Sequence, residues 1–270
     1  MMKSGAGSDQ SVSTLESPKT RGRVQITLST RRRNMRHSFV SIAPLFGISN
    51  FHFNYFCRLL TSTSVLYTEM LVDRMLLHAD ASRRGQELRT LPHHHPIVAQ
   101  LGGSDAAELC TAARFCEDAG FAGVNLNVGC PSHRVSCQGQ FGARLMLDRR
   151  LPDTLRTMRS ALRPETELSV KHRIGVDEHD SYEFFHAFVK QCHEVGGINH
   201  FIVHARKAHL SGLSTKQNRT VPPLQYEHVF RLKQAMPHLH IVINGGISTM
   251  CVFGLFLSMS CHIVVYYFFF

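Results

Sequence analysis

The sequence predicts an α/β fold, a parallel (β/α)8 TIM barrel that is incomplete at its last βα unit. Three observations carry that reading. Short apolar runs of four to six residues alternate with longer helical stretches, the pattern of parallel βα units. The first run is followed by Pro44 and by no G-x-G-x-x-G, which argues against an open doubly wound sheet. Polar groups recur at the same end of every run, and barrels carry their chemistry at one end of the strands.

The seven predicted strands are residues 39–43, 65–69, 97–101, 123–127, 168–173, 200–204 and 240–243. The predicted helices between them are residues 54–60, 106–119, 152–161, 182–195 and 226–235. The first strand ends in Ala43-Pro44 and the second in Glu69-Met70. The third runs into Gln100-Leu101-Gly102-Gly103, and the fourth carries Asn127 to Cys130. The fifth bears Lys171 and Arg173, the sixth ends His204-Ala205-Arg206-Lys207, and the seventh ends Asn244-Gly245-Gly246.

Outside the barrel (residues 37–249) lie two unlike ends. Residues 1–36 are rich in Ser, Thr, Gly and Arg, hold eight Lys/Arg against Asp9 and Glu16, and show no apolar period. They read as a disordered basic extension with no secretory h-region; their composition also permits an organelle transit peptide. The expected location is therefore the cytoplasm, or a mitochondrion or plastid if the extension is cleaved. Residues 250–270 form an apolar tail, and no Asp, Glu, Lys or Arg follows Lys233. Three readings of the tail stand: an end foreign to the barrel, which is preferred, a surrogate last strand, or a membrane span.

The formal charge of +10 belongs largely to the N-terminal extension, so the globular part is only mildly basic. Eight cysteines at irregular spacing, none in a C-x-x-C pair, argue for a reducing compartment and against zinc. The run His93-His94-His95 reads as a solvated loop, since adjacent residues seldom converge on one ion, and no metal is expected.

Cys130 is the foremost candidate for catalysis. It lies in Asn125-Leu126-Asn127-Val128-Gly129-Cys130-Pro131-Ser132, where Gly129 and Pro131 hold the thiol on a turn past a strand. The competing reading is a small buried hydrophobe. Lys171 can neutralise an anionic ring, or else pair with a carboxylate such as Glu69. Gln100 and His204 can hydrogen-bond a ring's polar edge. Gly245 and Gly246 leave backbone amides open to a phosphate. One phosphate site without a Rossmann turn suits flavin mononucleotide better than a dinucleotide. The stretch 206–219 holds Arg206, Lys207, Lys216 and Arg219 and no acid, as a loop that meets RNA phosphates would; Arg134 stands close after Cys130.

These motifs, with Tyr67-Thr68-Glu69-Met70, Phe141-Gly142-Ala143, Val170-Lys171-His172-Arg173 and Leu210-Ser211-Gly212-Leu213-Ser214, resemble the tRNA-dihydrouridine synthases, in particular their A branch. The resemblance runs from about His37 to Ile247. It implies an FMN enzyme that uses NADPH to reduce D-loop uridine of tRNA to dihydrouridine. It implies further that Pro44, Gln100, Lys171, His204, Asn244, Gly245 and Gly246 hold FMN, with Leu45 and Phe46 on the first flavin-contacting loop. Cys130 is then the general acid, and Asn127 touches the extruded nucleotide. The chain departs from the family in Leu45-Phe46-Gly47 after Pro44, in His133, and in lacking the Gly-Arg motif of an eighth strand and the C-terminal helical domain. A truncated or alternative form, acting as a monomer, is the expectation. The other readings are an inactive barrel with residual RNA binding, and an FMN barrel that reduces a free pyrimidine. The basic loop argues against the last.

Overall fold

A computed structural model of the chain describes residues 40–247 in full and the backbone of residues 262–265. The expectations for residues 1–36, and for most of the apolar tail, fall outside the described residues. Eight strands form one closed parallel sheet in chain order. They are β1 (Val40–Ile42), β2 (Val65–Val72), β3 (Ile97–Gly102), β4 (Gly123–Val128), β5 (Glu167–Arg173), β6 (His200–His204), β7 (His240–Asn244) and β8 (His262–Val265). The seven predicted strands are all present, and the eighth comes from the tail. β8 pairs with β1 (Val40 opposite Ile263) and with β7 (Val242 opposite His262), so these four residues serve as a surrogate last strand. No helix follows β8 among the described residues.

The helices are α1 (Phe51–Leu60), α2 (Asp73–His78), α3 (Ala81–Glu87), α4 (Ala106–Asp118), α5 (Leu151–Ala161), α6 (Tyr182–Glu194) and α7 (Tyr226–Ala235). Their starts are chemically marked. Asn50, Asp80, Asp105 and Ser181 each accept a hydrogen bond from a first-turn amide, and Pro152 sits in the first turn of α5. Two helices were not predicted. α2 has only six residues and continues β2 without a turn, while α3 buries no residue and so has no apolar stripe to read. No helix among the described residues is long and apolar enough to cross a membrane.

The strand alternation sets the site. Leu168 and Val170, Phe201 and Val203, Ile241 and Ile243 join the one large core between sheet and helices. Their neighbours face the barrel interior, where Ile202, Val242 and Ala43 form a small cluster of their own. In the middle of the interior a polar chain crosses three strands: Gln100 Nε2 donates to Asn125 Oδ1 (2.8 Å), and Asn125 Nδ2 donates to Ser169 Oγ (2.9 Å). All three are buried, so each amide needs its partner. Asn127 and Lys171 stand one step further along the same faces, paired in register, at the C-terminal mouth.

Within the histidine run His93 is exposed as expected of a solvated loop, but His94 is not. His94 is fully buried in a 3-10 turn (Pro92–His94), against Phe51 of α1 at 4.9 Å between ring centroids. Burial lowers its pKa to about 4 and keeps the ring neutral.

Candidate active site

A cavity of about 710 Å³ opens at the C-terminal mouth. Its wall includes Pro44, Leu45 and Phe46 from the β1–α1 loop, Gln100 from β3, and Lys171 and His204 from β5 and β6. Asn127, Cys130, Arg134 and Arg219 complete the set of predicted residues that meet there.

The thiol is held by its own turn. Asn127 Oδ1 accepts the amides of Gly129 (3.1 Å) and Cys130 (2.9 Å), while Asn127 Nδ2 donates to Gln100 Oε1 (2.9 Å). One side chain thus fixes the Cys130 backbone and links it to the polar chain below. Gly129 packs closely there, since a Cβ would lie 3.3 Å from the His172 backbone. Burial pushes the Cys130 thiol above its ordinary range, against the opposing pull of the Ser132 amide and of Arg173, Lys171 and Arg219. The group is therefore a neutral S–H at neutral pH.

His204 is buried and held well below the usual imidazole range, first by desolvation and then by Arg173, Lys171, Arg206 and Arg219. It faces the cavity as a neutral ring. Glu69 Oε2 accepts the Gly47 amide (2.8 Å) and so ties down the loop bearing Leu45 and Phe46. Phe46 remains 77% exposed at the mouth.

Asn244, Gly245 and Gly246 lie at the end of β7 beside the cavity, not in its wall. Gly245 (φ +100°) packs against the His204 ring, where a Cβ would approach Cε1 to 2.9 Å, and Gly246 is also left-handed (φ +70°). Tyr226 donates to the Gly245 carbonyl (2.6 Å). Arg206 is within electrostatic reach of Tyr226, and its Nε and Nη1 are buried with no hydrogen-bond partner among the described residues. A left-handed double glycine, with a guanidinium holding idle donors across Tyr226, fits a phosphate. The pocket beyond, with an ammonium, a neutral imidazole and a carboxamide, fits a polar aromatic ring.

The basic loop divides. Lys216 is exposed and Arg219 reaches the cavity, but Lys207 is already neutralised by Asp180 (2.7 Å) and also donates to the Asp177 carbonyl. Arg173 is the residue sequence reasoning left out of the site. It is buried, donates through Nε to the Gly129 carbonyl (3.3 Å), and through Nη1 to Lys207 O (3.2 Å) and Asn218 O (2.9 Å). It therefore binds the thiol turn to the basic loop. Its position two residues after Lys171, on the same strand face, was the available signal. Met70 and Phe141 also line the cavity; Gly102 makes room for both, since a Cβ there would meet them at 2.9 and 2.7 Å.

Fold and site together define an eight-stranded parallel α/β-barrel protein with a cavity and a proton-bearing thiol at the strand C-termini. The family model described as dihydrouridine synthase matches residues 41–258, and the chain belongs to that family. It is 43% identical over 218 residues to a tRNA-dihydrouridine(20/20a) synthase of Vibrio vulnificus, which covers 80% of this chain and 65% of the relative. It is 44% identical over 211 residues to the protein of the same description in Escherichia coli K12, covering 78% and 59%. The chain thus spans less than two thirds of the length of these relatives. A solved 2-naphthoyl-CoA reductase complex shares the fold, with a TM-score of 0.62 at 11% identity over 83% of this chain and 47% of that one.

Proposed function

We propose that the chain carries the catalytic barrel of a flavin-dependent tRNA-dihydrouridine synthase, with Cys130 as the general acid. The observation that supports this most is the protonated, desolvated thiol on a turn fixed by Asn127, opening into the same cavity as Lys171 and His204. Lys171, His204, Gln100 and Pro44 would hold the flavin ring, and Gly245, Gly246 and Arg206 its phosphate. That placing moves Arg206 from the RNA surface to the cofactor. When bound and reduced by NADPH, FMN supplies the hydride that C6 of uracil receives.

The chain's own residues do the rest. Cys130 gives its S–H proton to C5 as negative charge develops there, and the thiolate left behind is stabilised by the Ser132 amide and by Arg173, Lys171 and Arg219. Asn127 keeps that turn rigid. Arg134, Lys216 and Arg219, around the mouth, would meet phosphates of the tRNA, from which the uridine must be extruded. Lys207, paired with Asp180, contributes little to that surface.

The test is to supply the full chain with FMN, NADPH and an unmodified tRNA transcript, and to measure dihydrouridine in the digested product. Dihydrouridine formed with tRNA and not with free uracil supports the reading. Flavin retained with no product on tRNA selects the inactive barrel, and product from free uracil alone selects the pyrimidine reductase.

A further inference from the structure

Glu167, His200 and His240 are the first residues of β5, β6 and β7. By the alternation already described they share a face with Ser169, Ile202 and Val242, inside the barrel. They lie at the N-terminal mouth, four residues or about 13 Å below His204 and Asn244. That floor is ordinarily filled by branched apolar side chains. Here it holds a carboxylate and two imidazoles.

One ligand atom from each of the three lies within 4.8 Å of the others, the only such group of His, Cys, Asp or Glu among the described residues. His200 Nδ1 is 2.9 Å from Glu167 Oε1. His200 and His240 are direct register partners on adjacent strands, and their rings lie 4.1 Å apart between centroids. His200 is 7% exposed, and its Nε2 has no hydrogen-bond partner among the described residues.

We propose that Glu167, His200 and His240 bind one divalent cation of zinc type, with water in the fourth position. Two imidazole nitrogens and one carboxylate oxygen form a recurrent zinc donor set. Ligand atoms in a tetrahedral zinc site lie about 3.3 Å apart, given bonds of about 2.0–2.1 Å. The Glu167–His200 pair is already that close, and a His240 ring nitrogen lies within 4.8 Å of both. The ion would pin three neighbouring strands at the mouth opposite the thiol. The proposal is independent of the flavin reading, and it reverses the expectation of no metal.

The full chain, stripped with a chelator and freed of it, is titrated with Zn²⁺ alone while melting and stoichiometry are followed. Co²⁺ serves as a visible probe of coordination. The expected result is one equivalent bound, a Zn²⁺-dependent rise in Tm, and tetrahedral Co²⁺ bands without thiolate charge transfer. His200→Gln, His240→Gln and Glu167→Gln should each weaken binding by at least about tenfold. His193→Gln should leave it unchanged, although His193 and His238 bring their Nε2 atoms to 3.2 Å. Glu167→Gln keeps the shape of the side chain, so it remains decisive if a histidine variant fails to fold. No Zn²⁺-dependent change in Tm, binding that survives Glu167→Gln, or binding lost on His193→Gln would each overturn the proposal.

Discussion

Asn127 spends both ends of its amide on one task, since its oxygen holds the Gly129 and Cys130 amides and its nitrogen holds Gln100. In the proposed reaction the thiol it positions acts only while protonated. Cys130→Ala should therefore keep its flavin, lose turnover by about 10²–10⁴-fold, and lose the alkaline fall in rate that the intact thiol imposes. Flavin absorbance after gel filtration and single-turnover rates across pH check all three, and an unchanged rate removes Cys130 from the role. A second residue, one of the buried neutral histidines, contributes to acid stability. His172 is fully buried among Phe185, Phe188 and Phe201, donates from Nδ1 to the Arg173 carbonyl (2.7 Å), and has its pKa lowered from 6.5 to about 4 by desolvation. Its depressed value means that stability is present above pH 6.5 and is lost as pH falls toward 4, because the unfolded chain takes up the proton first. Asp73, raised to about 6 by burial, works in the opposite direction over an overlapping range. His172→Asn keeps a donor and removes the titration. The loss of unfolding free energy between pH 7 and pH 5 should narrow by about 2 kcal/mol in that variant, as read from urea melts. An equal loss in both proteins would show that His172 does not control it.

Helix α1 is fastened to its surroundings by two polar side chains as well as by Cys57 and Phe53 on its apolar face. Asn54 donates to the Ser49 and Tyr67 carbonyls (3.2 Å each), and Arg58 donates to the carbonyls of Thr61, Ser64, His94 and Pro96. Arg58→Ala should cost about 2–4 kcal/mol, because several buried or half-buried carbonyls lose their donor at once. Arg58→Lys should recover little, since one ammonium cannot replace a planar fork; full recovery in a chemical melt would refute the account. None of this clamp was legible in the sequence, because its partners lie up to 38 residues away and a lone Arg on a helix reads as a solvated charge. Buried His94 escaped for the same reason: its surroundings come from Phe51 and Tyr55, remote in the chain. The strands were legible because each is a short apolar run closed by polar residues, and α4 to α7 because a buried stripe repeats along each. α2 and α3 carry too little such stripe to register. In the site, residues at strand ends were readable one strand at a time. The pairing of Lys207 with Asp180, and the bridge made by Arg173, depend on how loops fold back and were not.

Closure of the barrel rests on a small contact. β8 offers four residues to two neighbours, with three register pairs to β1 and two to β7. β8 is the strand that joins β7 back to β1, so without it β1 and β7 each expose an open row of amides and carbonyls. The interior would also open along the β7–β1 seam, where Ala43, Ile202 and Val242 form their separate cluster. β1 is the more vulnerable, being three residues long and carrying the Ala43-Pro44 turn into the cavity wall. A chain ending at Ile247 should therefore melt at lower temperature and less cooperatively, pair through its exposed edges, and retain flavin poorly because Pro44, Leu45 and Phe46 lose their anchor. A milder variant separates pairing from mere length: Val264→Pro removes one amide within β8 while leaving the chain intact. If both proteins match the full chain in melting profile, in sedimentation and in flavin retention, then β8 does not close the barrel in solution. If Val264→Pro alone reproduces the loss, the ladder hydrogen bonds of that one short strand hold the catalytic mouth in shape from the edge of the sheet.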